Sequence, residues 1–206
     1  MNVLRHRDPD FARRLAALAQ SSSLFDPVIE QRTRALIEAV QARGDAALLE
    51  LTKKFDGANL TAAQLAVTQA EVLAASVQVD PAFRRTLQFA ARNIERFSKR
   101  SLRRGWSGRN AQGARVGEKF DPFERVGIYV PGGTAPLVST VLMTVLLARV
   151  AGCPEIVVCT PCGKDGTINS GMLLAARMAG ATEIYRVGGA QAVVAMALGT
   201  ATIRPV

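Results

Sequence analysis

The residues that could do chemistry gather at two glycine turns, each placed between a short β-forming run and an apolar run. The first turn contains Gly132 and Gly133 and follows Tyr129, and the second is Gly188-Gly189-Ala190-Gln191. Glycine lets a ligand approach the backbone, and free N–H groups at a helix start attract anions. The pattern therefore suits a dinucleotide phosphate, but it lacks the spacing Gly-x-Gly-x-x-Gly. A tight turn between strand and helix is the alternative interpretation.

Tyr129 and Gln191 are the polar side chains that these turns place at the predicted sheet edge. Gln191 stands in the first turn of a predicted helix, where its amide could donate and accept hydrogen bonds to a ligand. Its alternative role is a helix-start residue that faces water. Tyr129 ends a predicted strand, where it could offer a ligand its ring or hydroxyl, or could simply be a buried aromatic. Both residues are candidates for ligand contact.

Cys159-Thr-Pro-Cys162 has the Cys-x-x-Cys pattern that occurs in redox and zinc sites. Thioredoxin-type chemistry places the first cysteine at a helix start, whereas Cys159 ends a predicted strand. A zinc site needs two further ligands, and the chain adds only Cys153 and one histidine, His6. We interpret Cys153 and Cys159 as small core residues. The sequence also offers no obvious general acid or base. We therefore assign neither catalytic residues nor metal ligands.

Apolar patterning in the second half predicts alternating strands and helices. Strands are predicted over 126–130, 155–160 and 183–187, and helices over 137–151, 168–179 and 190–198. The strands are apolar on both faces, which is typical of parallel strands covered by helices. The pattern Ala-Arg-x-Ala-Gly-x-x-Glu-Ile occurs at 148–156 and again at 176–184, and it indicates a repeated unit.

This alternation predicts an α/β protein containing the first three βα units of a Rossmann-like parallel sheet, incomplete at the carboxyl end. Crossovers between parallel strands are right-handed, so the carboxyl ends of the strands share one edge, where such sheets bind ligands. The predicted binding edge consists of 131–136, 161–167 and 188–191.

The first half of the chain is predicted to be helical. Asp26-Pro27 and Asp80-Pro81 each supply an N-cap and a proline in the first helical turn. Thr68 and Glu71 match a capping box. Glycines and polar residues then indicate a connector with short extended segments. We divide the chain into a helical region at 1–104, the connector at 105–124 and a partial Rossmann-like NAD-binding domain at 125–206.

Composition and charge narrow the functional class. The chain has 206 residues, 49% of them hydrophobic, and a net charge of +9. Much of that charge is local, because the stretch 84–115 holds ten Lys or Arg against one acid, Glu95. Phe89 and Phe97 in this stretch fall at helical spacing with Leu87 and Ile94, so we expect them in the core. A basic helix face without a recognised binding motif is usually solvated, and we expect no nucleic-acid partner.

The amino-terminal residues and the cysteine content bear on location. Residues 1–10 carry charge and lack an apolar segment, so no signal peptide is expected. The longest apolar stretch is interrupted by Arg149, which argues against a membrane span. Three cysteines, an odd number, fit a reducing compartment. We expect a cytoplasmic protein without a membrane partner.

Several stretches together resemble the histidinol dehydrogenase family. They are Arg125–Pro136, Ser139-Thr-Val-Leu-Met143, Ala151-Gly-Cys153 and Val187-Gly-Gly-Ala-Gln-Ala192, with Ala42–Ala46, Lys54-Phe-Asp56 and Asn93-Ile-Glu-Arg-Phe97 also fitting. The resemblance spans nearly the whole chain, in register. It covers the amino-terminal half of the family's length.

The resemblance implies an enzyme that oxidises L-histidinol through the aldehyde to L-histidine, the last steps of histidine biosynthesis. It also implies reduction of two NAD, a bound zinc and a homodimer with Rossmann-like domains. By resemblance, Tyr129 and Gln191 contact NAD, and the Gly132-Gly133 turn lets the cofactor approach. The family's catalytic Glu-His pair, a third NAD contact and the four zinc ligands are expected beyond Val206. A related dehydrogenase of another small alcohol and a non-catalytic fragment are the alternatives.

We therefore expect the isolated 206 residues not to form NADH from L-histidinol, with or without added zinc. The physical reason is that the sequence offers neither a base nor a set of metal ligands for hydride transfer. The measurement is NADH absorbance, with a full-length family member as the positive control. A zinc-dependent rate above that of the protein-free reaction would contradict the expectation.

Overall fold

The computed structural model describes residues 3–20, 26–132 and 136–206. The helices of this part of the chain are α1 (Phe11–Gln20), α2 (Pro27–Arg43), α3 (Asp45–Phe55), α4 (Gln69–Gln78), α5 (Pro81–Ser101), α6 (Val138–Ala151), α7 (Ser170–Ala179) and α8 (Gly189–Leu198). The strands are β1 (Trp106–Arg109), β2 (Arg115–Glu118), β3 (Arg125–Tyr129), β4 (Glu155–Thr160) and β5 (Glu183–Arg186). Among these helices, none has both the length and the apolarity needed to cross a membrane.

Strands β3, β4 and β5 form a parallel sheet in that order, which confirms the predicted α/β class. Val126 lies opposite Ile156 in the register of β3 and β4. The outer edge of β5 is paired with residues 65–67, because Arg186 N donates to the Leu65 carbonyl at 2.8 Å. A segment from the amino-terminal half thus covers one edge of the sheet. Strands β1 and β2 form a separate antiparallel pair within the predicted connector.

Both faces of the sheet are buried, and the central strand shows why. Ile156 and Val158 of β4 belong to one hydrophobic core, which also contains residues of α6 and α7. Val157 and Cys159 point to the other core, which contains residues of α3 and α8. Alternate side chains of a strand lie on opposite faces, so a strand apolar at every position needs a helical layer on each side.

The amino-terminal helices contribute to both layers. Helices α4 and α5 pack against α7 and α6, while α2 and α3 pack against α8. Leu48 of α3 is fully buried in the second core, and Val72 of α4 is buried in the first. The domain division at residues 104 and 125 stays a prediction.

Local sequence signals fix the helix ends. Asp26 accepts a hydrogen bond from Val28 N at 2.9 Å, and Asp80 accepts one from Ala82 N at 2.8 Å. The repeated Ala-Arg-x-Ala-Gly pattern ends α6 and α7 at Gly152 and Gly180, whose φ angles are +92° and +108°. Glycine tolerates this left-handed conformation, so the repeat terminates both helices in the same way.

The expectation that Phe89 and Phe97 lie in the core is wrong. Their side chains are 62% and 74% exposed, whereas Leu87 is buried and Ile94 half-buried. Each residue turns the helix by about 100°, so Phe89 lies on the far side of α5 from Leu87. The face of α5 that packs on α6 is therefore narrower than the set of apolar residues in this helix indicates. The helix also ends at Ser101, three residues before the end of the predicted helical region 1–104.

One arginine joins the amino ends of the three parallel strands. Arg125 begins β3 and donates to Glu155 Oε2, in the first residue of β4, at 2.7 Å. It also donates to both carboxylate oxygens of Glu183, in the first residue of β5, at 2.7 and 2.8 Å. The Arg125 side chain is only 8% exposed, and hydrogen bonding to Arg125 lowers the pKa of Glu183. This cluster ties the starts of the strands together.

Replacing Arg125 with Met should lower the free energy of unfolding by about 2 kcal/mol, because charge-assisted hydrogen bonds are lost. Among the described residues, Glu155 would keep only its ion pair with Arg204, and Glu183 would keep only the hydrogen bond from the Tyr185 hydroxyl. Glu183 has a lower pKa folded than unfolded, so its stabilisation is present above its ordinary value of 4.5. The effect should shrink as acid protonates Glu183. Urea unfolding at neutral and acid pH measures it.

Arg34→Ala is the matched control, because Arg34 pairs with Glu30 at 3.0 Å on the exposed side of α2. Such a surface pair contributes about 0.5 kcal/mol or less. Equal destabilisation by the two substitutions would show that the Arg125 cluster stabilises the fold no more than an exposed ion pair does.

Candidate functional site

A cleft opens where the carboxyl ends of the parallel strands meet the end of α3. Its volume is about 1040 Å³, comparable to the largest common ligand pockets, which reach about 1,000 Å³. The residues that line it include Phe55, Asp56, Tyr129, Gly132, Pro161, Cys162, Lys164, Thr167, Gly189 and Gln191. Residues from all three loops of the predicted binding edge thus lie on one cleft. The contribution from α3 was not predicted.

Tyr129 connects the end of β3 to the start of α8. Its hydroxyl oxygen accepts a hydrogen bond from Gly189 N at 3.1 Å. The ring is half-buried against the core formed with α3 and α8. Because the oxygen acts as acceptor towards the protein, the hydroxyl proton can be donated to a molecule in the cleft.

Gln191 is 1% exposed, so it does not face water as a surface helix-start residue would. Its side chain folds back over the first turn of α8, since a Cβ added to Gly189 would lie 2.7 Å from Gln191 Oε1. The amide makes no hydrogen bond to another described residue. Gln191 thus carries a buried amide at the wall of the cleft, where a ligand could supply the partner.

The glycines at the turns allow backbone segments to approach Pro161. A Cβ on Gly132 would lie 2.6 Å from Pro161 Cγ, and a Cβ on Gly188 would lie 2.6 Å from Pro161 Cβ. Packing therefore accounts for both glycines without a ligand. Gly133 lies outside the described residues. Cofactor contact by Gly132 and Gly133 stays a prediction.

Asp56 is the cleft residue that the sequence argument missed. It follows α3, and its Oδ2 is buried without a hydrogen-bond partner among the described residues. A Cβ added to Gly188 would lie 3.2 Å from this oxygen. Burial raises the pKa of Asp56. In the sequence, the one signal for Asp56 was the stretch Lys54-Phe-Asp56, which fits the family resemblance.

The cysteines are not placed for redox or metal chemistry. Cys159 is buried in the core, as predicted, and burial raises its pKa to about 12. Cys162 lines the cleft, and burial, followed by the nearby Asp56 carboxylate, raises its pKa. Both thiols are therefore protonated at neutral pH and poorly nucleophilic. No group of three or more His, Cys, Asp or Glu within residues 3–20, 26–132 and 136–206 could hold a metal ion.

The arrangement is equipped to bind and orient a ligand. The cleft presents the hydroxyl of Tyr129, the amide of Gln191 and the carboxylate of Asp56, with Lys164 at the same opening. These groups can hydrogen-bond to a polar molecule along the sheet edge, where open α/β sheets bind nucleotides. Phe55 adds an aromatic ring that is 58% exposed.

Comparisons with known proteins agree on one family. Residues 20–206 match the family described as Histidinol dehydrogenase. The chain is 49% identical over 179 residues to histidinol dehydrogenase from Symbiobacterium thermophilum, covering 87% of this chain and 41% of that protein. Identity to histidinol dehydrogenase from Brucella abortus is 40% over 206 residues, covering 100% of this chain and 48% of that protein.

A solved structure gives the same result. The crystal structure of histidinol dehydrogenase from Elizabethkingia anophelis superposes with a TM-score of 0.82 at 38% identity. The match covers 86% of this chain and 40% of that chain. The chain therefore spans less than half the length of these relatives.

Asp56→Asn should raise the melting temperature at neutral pH. Burial raises the pKa of Asp56, so the folded state binds this proton more tightly than the unfolded state, and ionisation above the ordinary value of 3.8 costs stability. Asparagine avoids that ionisation. The advantage should disappear near pH ~3, where aspartate is largely protonated in both states. Thermal unfolding at the two pH values measures it.

Asp165→Asn is the control of opposite sign. Asp165 accepts hydrogen bonds from Thr167 N at 3.0 Å and from its hydroxyl at 2.8 Å, and these bonds lower the pKa of Asp165. Its substitution should therefore lower the melting temperature at neutral pH. A lower melting temperature for Asp56→Asn would show that the Asp56 carboxylate has a stabilising partner.

Proposed function

The chain belongs to the histidinol dehydrogenase family, and on that basis we propose that it forms the amino-terminal, NAD-binding part of an NAD-dependent histidinol dehydrogenase. The reaction is the oxidation of L-histidinol through the aldehyde to L-histidine, in histidine biosynthesis. The observation that carries the proposal is the cleft at the carboxyl ends of the parallel strands, where Tyr129 and Gln191 present polar groups. Identity of 49% to a histidinol dehydrogenase supports the choice of substrate.

NAD fits the residues of the cleft. The volume of about 1040 Å³ accommodates a large part of a dinucleotide, and the site combines apolar walls with a few polar groups. The buried amide of Gln191 and the hydroxyl of Tyr129 would hold the cofactor by hydrogen bonds, and the Gly132-Gly133 turn would let it approach the backbone. Bound NAD supplies the hydride acceptor, while these residues fix its position relative to the sheet.

In this proposal residues 125–206 are the Rossmann-like part, residues 1–104 cover it and residues 105–124 connect the two. The whole protein is a cytoplasmic homodimer. The three free cysteines support a reducing compartment, and the family resemblance supports the homodimer.

Zinc, which the family implies, does not fit the described residues. His6 lies near Phe11, with 5.0 Å between the ring centroids, and among the described residues it belongs to no group of three or more metal-ligating side chains. No step through a metal is therefore assigned to this part of the protein. Its contribution is the binding and orientation of the nucleotide.

Titration of the purified chain with NAD in a calorimeter tests the proposal. We expect saturable binding that is weakened about tenfold in Gln191→Ala, the equivalent of losing about 1.4 kcal/mol of hydrogen bonding. Tyr129→Phe should weaken binding in the same direction, because it removes the hydroxyl proton donor. Arg13→Ala on α1 is the control, since this side chain is 82% exposed and should leave binding unchanged.

Thermal unfolding of each variant separates loss of binding from loss of the fold, which matters because Gln191 is buried. A folded, soluble chain without saturable NAD binding would overturn the proposal that this part forms a cofactor site.

A further inference from the structure

Asp56 has a carboxylate that the fold itself does not use. Its backbone N–H donates to the Thr52 carbonyl at 2.8 Å and so completes the end of α3, but its side chain caps nothing. Oδ2 is buried without a hydrogen-bond partner, and Asp56 makes no ion pair with any residue in the described part of the chain. Lys164, the nearest cleft lysine along the opposing loop, packs its Cγ over Gly57 instead.

An unpaired, partly desolvated carboxylate is unfavourable in a folded protein. Such local conflicts concentrate at functional sites, where a ligand supplies the missing partner. The location agrees with this, because Asp56 lines the large cleft together with Tyr129 and Gln191. The molecule that binds in the cleft is therefore expected to supply the hydrogen-bond donor for Asp56.

The position of Asp56 relative to the sheet indicates which part of a nucleotide it meets. Asp56 Oδ2 and Pro161 Cβ both lie close to Gly188, because a Cβ added to Gly188 would be 3.2 Å from the first atom and 2.6 Å from the second. Pro161 follows β4, the second strand of the parallel sheet in chain order. In nucleotide-binding α/β folds, an acid near the end of the second strand accepts hydrogen bonds from the adenosine ribose.

The loop after β4 does not supply that acid itself. Asp165 is the acidic residue of 161–167, and its carboxylate is occupied by the backbone and hydroxyl of Thr167. Asp165 also lines a separate, smaller pocket with Arg186. Asp56 approaches the same loop from α3 and so provides a carboxylate where the second strand ends.

We propose that Asp56 accepts hydrogen bonds from the hydroxyl groups of the adenosine ribose of NAD and thereby selects NAD against NADP. This inference rests on the proposed function. A carboxylate accepts hydrogen bonds from a ribose hydroxyl, whereas it repels the 2′-phosphate of NADP. Arg186, the arginine that ends β5, cannot offset this repulsion. It is 6% exposed, and it donates to the carbonyls of Gln64, Ala66 and Gly166 and to Glu71.

The test measures NAD and NADP binding by calorimetry on the full 206-residue chain. The unsubstituted chain should bind NAD about 100-fold more tightly than NADP, a difference typical of a desolvated charge conflict. Asp56→Asn should weaken the binding of NAD about tenfold. It should also reduce the ratio of NAD affinity to NADP affinity to about 10 or less. Asp56→Ser, which removes the charge and adds a hydroxyl donor, should narrow the ratio as well.

Two controls make the outcome specific. Gln191→Ala should weaken the binding of NAD and of NADP to a similar degree, so that the ratio of the two affinities stays unchanged. Glu30→Gln should affect neither affinity, because that side chain is 71% exposed on α2 and does not line the cleft.

The results distinguish the two proposals. Absence of NAD binding by the folded, unsubstituted chain would overturn the proposed function and this inference with it. NAD binding that responds to Gln191→Ala, with an NAD to NADP ratio that neither Asp56 substitution changes, would overturn this inference alone.

Discussion

Burial of both faces of β4 is the constraint from which the rest of the structure follows. Four of its side chains, Ile156, Val157, Val158 and Cys159, are at most 1% exposed, and they alternate between two cores. Burying an aliphatic side chain of this size contributes about 1.5–3 kcal/mol, so each face must be covered by helices. Helices α6 and α7 cover one face. The other face is covered by α8 together with α3, and this packing brings the carboxyl end of α3 to the ligand edge of the sheet.

The two ends of the sheet are held in different ways. At the amino ends, Arg125 joins the first residues of all three strands, and this cluster lies away from the cleft. At the carboxyl end of β5, Arg186 hydrogen-bonds to the carbonyls of Gln64, Ala66 and Gly166. It thereby fixes the loop after β4 to the segment that pairs with β5. The walls of the cleft are thus built from loops that buried hydrogen bonds already hold in place.

Sequence periodicity predicted the elements well because their signals are local. The bounds of β4 match the predicted range, and the other elements of the α/β half differ from theirs by at most two residues. Right-handed crossovers then place the strand ends on one edge. The pairing of residues 65–67 with β5 could not be predicted, because it joins segments more than 100 residues apart through backbone groups that every residue carries. The predicted burial of Phe89 was wrong for a related reason. Whether this side chain is buried depends on how much of the surface of α5 is covered by α6, a distant segment of the chain.

The candidate site shows the same limit. The turns at Gly132 and Gly188 resemble phosphate-binding turns in the sequence, yet in the structure both glycines are explained by close packing against Pro161. Glycine at such a turn therefore does not distinguish a ligand site from two loops in close contact. Buried polar groups without a protein partner distinguish them better, because leaving them unpaired costs free energy that a ligand can recover. By that criterion Gln191 and Asp56 are the stronger indicators of what the cleft binds, and Asp56 reaches the cleft only through the packing of a helix that lies far away in the sequence.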